Sequence, residues 1–151
     1  MTITNVNSAT FLADTVNLLR NDLSINITDP IVTTRSASSK FVMTSYPKNK
    51  VEYPMITIVD AGISQQQRLG MQSESTSLTI PVEIRIWARN VVERDELFGA
   101  VYDWLRTNQF GGSTAFVDAN LHDFTMTSAV NVNDEQTKSK VMEVQFLFIC
   151  Q

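Results

Sequence analysis

A chain of 151 residues that is 43% hydrophobic and 19% charged has the size of one domain, spanning 1–151, with enough apolar content for a real core. Its net charge of −4 excludes nucleic-acid binding through a broadly basic surface, though not a pore whose acidic wall repels DNA. One cysteine, Cys150, excludes an intrachain disulfide or a cysteine metal cage, and no apolar leader or ~20-residue apolar span is present, so synthesis in the cytosol and no membrane contact are expected.

Residues 1–8 are polar and are expected to be a flexible N-terminus. Ser8 can cap a helix over about 9–23, with Leu12, Val16, Leu19 and Leu23 on one face. Phe11 and Leu18 form a second, flanking apolar spot: either a widening of the core face or a contact with a neighbouring subunit. Asp29-Pro30 ends this region, because the residue before proline resists helix. From Ile31 to Tyr53 the pattern is weak, with Phe41 and Met43 suited to a short strand. Arg35, Lys40, Lys48 and Lys50 carry positive charge with no acid between Asp29 and Glu52. They read either as a solvated loop or as a docking patch for an acidic partner or DNA.

Met55 to Val59 is a compact apolar strand after Pro54. Gly62 to Thr76 is polar, including Gln66 and Arg68, and is expected to be a loop at a projecting hairpin tip. Structureless loops of ~15 residues are uncommon inside compact domains and are often functional.

The hairpin's second strand is the organising stretch. From Ser77 to Arg89, Leu78, Ile80, Val82, Ile84 and Ile86 alternate with Thr79, Pro81, Glu83, Arg85 and Trp87. Period two over that length is a half-buried strand ~44 Å long, about twice the usual. Pro81 cannot donate to a ladder and marks an edge, a bulge or a bend. Asn90 then caps a helix, with Glu93 placed for a capping box. Leu97, Phe98, Val101, Trp104 and Leu105 share one stripe. Gly111-Gly112 stops the helix, and residues 112–120 form a loop. Asp123 to Val132 alternates through Phe124, Met126, Ser128, Val130 and Val132. Lys140 to Cys150 is apolar on both faces and therefore central or covered. The whole is α+β: a mostly antiparallel sheet of four to five strands with a long hairpin, and two helices packed on one face.

The sequence carries no recognisable catalytic constellation. His122 is the only histidine, and adjacent Asp123 points to the opposite strand face, badly placed to orient it. Asp118, His122 and Asp123 match metal-ligand spacing weakly. No phosphate-cradling glycine loop, dinucleotide fingerprint or calcium loop occurs. No cofactor is expected. Glu83 and Arg85 suit a surface ion pair. Trp87, a large aromatic on a polar face, is either covered by a loop or an anchor for a partner. Long strands and spare apolar residues point to a protein that assembles with copies of itself.

The order and texture of Thr28-Asp29-Pro30-Ile31, Tyr53-Pro54-Met55-Ile56-Thr57-Ile58, Leu78 through Asn90, Glu93-Arg94-Asp95-Glu96-Leu97 and the closing hairpin resemble the tail terminator (tail completion) proteins of long-tailed bacteriophages. The resemblance runs from Phe11 to Cys150. It implies a virion structural protein without catalytic residues. Such proteins form a ring, usually hexameric, on the last ring of the tail tube. The ring stops polymerisation and meets the neck or capsid connector, and DNA passes through its lumen. Another virion subunit (tail-tube or head-closure protein) is the nearest alternative. A small-molecule-binding domain or enzyme would instead need a pocket around His122 or Glu83.

Overall fold

The computed structural model of the chain describes residues 11–36, 39–45, 52–60, 65–68, 76–107, 121–133 and 138–150. Chain order is α1 (Phe11–Asn26), β1 (Val42–Met43), β2 (Met55–Asp60), β3 (Gln65–Arg68), β4 (Thr76–Ala88), α2 (Val91–Thr107), β5 (Leu121–Asn133) and β6 (Lys138–Cys150). The strands form one sheet in the order β1-β2-β4-β6-β5, with β3 also paired to β4. Every pair is antiparallel except β1 with β2. The fold is therefore α+β, and the doubly apolar last strand sits centrally, between β4 and β5. Residues 1–8, the expected loop 112–120, Lys48 and Lys50 lie outside the described residues.

Alternation along β4 decides where the core lies. Ile80, Val82, Ile84 and Ile86 are all at most 1% exposed. In register beside them stand Ile56 and Ile58 of β2 and Met142 and Val144 of β6, also buried. Leu19 and Leu23 of α1 and Leu97, Val101 and Leu105 of α2 join the same cluster, so both helices cover one face of the sheet.

Leu18 corrects the sequence reading. It is 1% exposed and belongs to the core, so it offers nothing to a neighbour. Thr15, Val16, Leu18, Leu19, Asp22 and Leu23 are all buried, which makes two adjacent columns along the helix. A helix laid on a flat sheet is covered across a wider stripe than one laid on another helix. Phe11 opens α1.

The tip of the long hairpin also differs from expectation. Gln65–Arg68 is a strand, registered from Gln65 opposite Thr79 to Arg68 opposite Thr76. Gln66 and Arg68 therefore occupy a ladder, not a free loop. Between the β2 pairs and the β3 pairs the register shifts by two residues. Ile80 and Pro81 fall at that break, while Pro81 keeps its place opposite Gln145 on the β6 side. A residue without an N–H is tolerated where one ladder is already interrupted.

The start of α2 follows its sequence signals. The Glu93 N–H donates to Asn90 Oδ1 at 2.9 Å, and Glu93 Oε1 accepts from the Arg89 N–H at 3.1 Å. The box thus reaches back one residue beyond the cap, where the Arg89 guanidinium also meets the Glu93 carboxylate at 2.6 Å. Burial pushes that carboxyl up, but the Arg89 contacts win and hold it below its ordinary value. Asn90→Ala is expected to cost about 1 kcal/mol in urea unfolding, with a two-state transition retained.

Candidate assembly surface

The positive segment splits once its partners are seen. Arg35 is consumed inside the molecule. Its Nε and Nη2 donate to Asp29 Oδ2 and Oδ1 at 2.6 and 3.0 Å. Nη1 donates to the Glu52 carbonyl at 3.0 Å, and Nη2 also reaches the Pro54 carbonyl. The guanidinium sits 5.4 Å from the Phe41 ring centroid, and its side chain is 6% exposed. Arg35 is therefore a tie between the end of α1 and the chain entering β2, which removes it from any docking patch. Asp29 is available to it because α1 ends at Asn26 and leaves Asp29 outside the helix; the Ile31 N–H donates to the same carboxylate at 3.0 Å. Lys40 stays exposed.

Trp87 is likewise held by its own chain. Its Nε1 donates to Thr57 Oγ1 at 3.1 Å, and its ring stacks on Tyr53 at 6.4 Å between centroids. The Arg85 guanidinium lies 3.9 Å over it and donates to Ser139 Oγ at 3.2 Å. Thr57 of β2, Arg85 of β4 and Tyr53 from the segment leading into β2 thus cover it, which fits the covering-loop reading and leaves no need for a partner to explain it. Glu83 does not pair with Arg85. It stands directly opposite Glu143, and both acids face away from the helices. Among the described residues neither carboxylate has an ion-pair partner, an arrangement that is locally unfavourable.

Apolar surface remains elsewhere. β5 ends the sheet order, and Met126, Val130 and Val132 are 36%, 56% and 41% exposed. The even alternation predicts one shared face for them. The structure divides them, because the register shifts between Met126 and Ser128. Met126 pairs with Val144 on the helix side, whereas Val130 pairs with Val141 on the free face. An inserted residue in a ladder moves every later side chain to the other face, and no residue preference announced this one. A second apolar area lies at the other end of the helices. Thr28, Pro30, Asn90, Val92 and Leu97 line an open cleft of about 460 Å³ with Glu93 and Glu96. Val92 there is 65% exposed.

Salt links fasten α2 to the sheet. Lys140 bridges to Asp95 at 3.3 Å and lies 4.3 Å from the Phe98 centroid, while buried Arg94 meets the same Asp95 carboxylate at 3.0 Å. Those two cations hold the Asp95 carboxyl below its ordinary value. Asp22 has no such help. It is 8% exposed, and its Oδ2 has no partner among the described residues. Burial pushes its carboxyl above the ordinary 3.8. Neutralising it should help: Asp22→Asn is expected to stabilise by about 1 kcal/mol at pH 7. A raised pKa costs stability only where the carboxyl is charged. The gain should therefore shrink as pH falls through the folded-state value and vanish below 3.8, which urea unfolding across pH reads directly.

The marked residues that are described do not form one patch. Leu18 and Arg35 are buried, Trp87 is covered, and Lys40 is exposed on its own segment. Gln66 and Arg68 sit in β3. His122 lies in β5 opposite Leu147, and Asp118 lies outside the described residues. Among the described residues no group of three or more histidine, cysteine or acidic side chains could hold a metal ion. No helix among them is long and apolar enough to cross a membrane. The surface with the most to offer a partner is the β5 edge, which the sequence marks as alternating but not as exposed. No protein-family model matches the chain, and no curated protein matches it.

Proposed function

We propose that the protein is a virion structural subunit, a tail terminator whose copies close into a ring on the end of a phage tail tube. In this role the ring stops tube growth and meets the neck or capsid connector, and it performs no catalysis. One observation supports it above the others. Helix, long hairpin, helix and closing hairpin follow in the order that the resemblance calls for, with β4, β5 and β6 each 13 residues long. Strands of that length reach ~44 Å, and among the described residues the helix-covered core draws on β4 and β6 but on no residue of β5. The helix-free face carries Glu83 opposite Glu143 on a chain of net charge −4, which suits the wall of a lumen through which DNA slides without sticking. The tip formed by β3 and the start of β4 is a contact for the tube or the neck.

Light scattering of the purified protein, with electron microscopy of the same sample, tests the assembly. A closed ring of fixed mass is expected. Open-ended tubes would move the protein to the tail-tube class, and a lone monomer at every concentration, without affinity for tails, would remove the reading altogether.

A further inference from the structure

We infer that the β5 edge pairs with the β5 edge of a second copy of this chain, two-fold about Asn131. β5 ends the sheet, and among the described residues no strand pairs with its outer side. Free edges are normally blunted by charge, proline or distortion. From Phe124 to Asn133 there is no charge and no proline. Distortion is confined to the first half, where the register shifts twice before Ser128. From Ser128 to Asn133 the ladder with β6 runs without a break, so this half offers a straight template.

The sequence of that half is its own complement. In an antiparallel pair centred on Asn131, Val130 stands opposite the partner's Val132, and Val132 opposite the partner's Val130. Directly opposed residues share a face and lie within contact distance. The two exposed valines of each copy then form one apolar cluster of four on the helix-free face. Asn131, exposed on the other face, meets its own counterpart, and two primary amides can each donate and accept. Centring the pair on Val130 instead would set Val132 against Ser128, and a shift by one would put valine against asparagine. Within Ser128–Asn133, only the Asn131 register sets both exposed valines against valines. An uncharged strand also rejects a charged one, which would lose hydration without gaining a counter-ion.

A two-fold contact is isologous and closes at two, so it differs from the head-to-tail contact that builds a cyclic ring. The pairing is independent of the ring reading: it joins two subunits, or two rings through their β5 edges, and breaking it halves the mass in either case. Three variants test it on the full chain. Asn131→Cys places two thiols across the axis, and mild oxidation should give a covalent dimer on a non-reducing gel. Wild type, carrying Cys150 alone, should not. Val130→Lys alters an exposed side chain, so circular dichroism should be unchanged while the mass by light scattering falls twofold. Val132→Lys should do the same. A wild-type monomer, an Asn131→Cys protein that stays uncrosslinked, or lysine variants that keep the wild-type mass would each overturn the pairing. Rings without the crosslink sink the pairing and leave the ring standing. Crosslinked dimers that form no ring do the reverse.

Discussion

Arg35→Met lowers the free energy of unfolding by about 3–5 kcal/mol, the usual cost of removing one partner from a buried, hydrogen-bonded ion pair. The loss comes less from the attraction itself than from what stays behind. Asp29 keeps a carboxylate that burial disfavours, and the Glu52 and Pro54 carbonyls lose their donors. Methionine fills the space against Phe41 without replacing any of these bonds. Adding Asp29→Asn removes the abandoned charge, so the double variant should recover part of the loss. Full additivity of the two single effects would count against direct coupling. The pH dependence carries a sign. Burial pushes the Asp29 carboxyl up, but Arg35 and the Ile31 N–H outweigh it and leave the carboxyl below its ordinary 3.8. A lowered pKa contributes stability that is fully present above 3.8 and is lost as pH falls through the folded-state value. Urea midpoints measured from pH 7 down to pH 2 should therefore fall in wild type, and Arg35→Met should lose the part of that fall owed to Asp29.

Arg35 also shows where sequence reading stops. Four positive residues without an intervening acid look like one basic segment, yet the acid that neutralises the first lies six residues upstream. Charge counted along a chain misses a partner brought in by a turn. Trp87 fails for a related reason: a tryptophan on a polar strand face looks orphaned until Thr57, 30 residues away, accepts its N–H. Period-based readings fared better because they depend on geometry alone. The alternation of β4, the two-sided apolarity of β6 and the Asn90 cap are local, and each fixes one face or one end. The bulge in β5 breaks that same logic. Its alternation is intact in the sequence, but one extra residue redistributes Met126 and Val130 to opposite faces. Such an insertion is set by the partner strand, so a single strand read alone cannot contain it.

Ile84→Ala should cost about 2–5 kcal/mol, with an effect at the upper end of that range. Ile84 sits at the middle of the widest part of the sheet, between Ile58 of β2 and Met142 of β6, and all three are fully buried. Helices cover this face on the sheet's other dimension, so a void left by three carbons has few ways to collapse. β4 pairs with β2, β3 and β6, and moving it would disturb each of those ladders. The same truncation at the sheet's margin gives the control. Val130→Ala removes two carbons from a side chain already 56% exposed and should change stability by less than about 0.5 kcal/mol. Urea unfolding of both variants separates the cases. A small loss at Ile84 would mean that the core can relax around β4, and that the strand is not the rigid axis on which both helices and the β5–β6 hairpin are set. A large loss at Val130 that appears only in concentrated protein, and fades below the concentration at which copies associate, would mean that its surface is covered there, which is the condition a paired β5 edge creates.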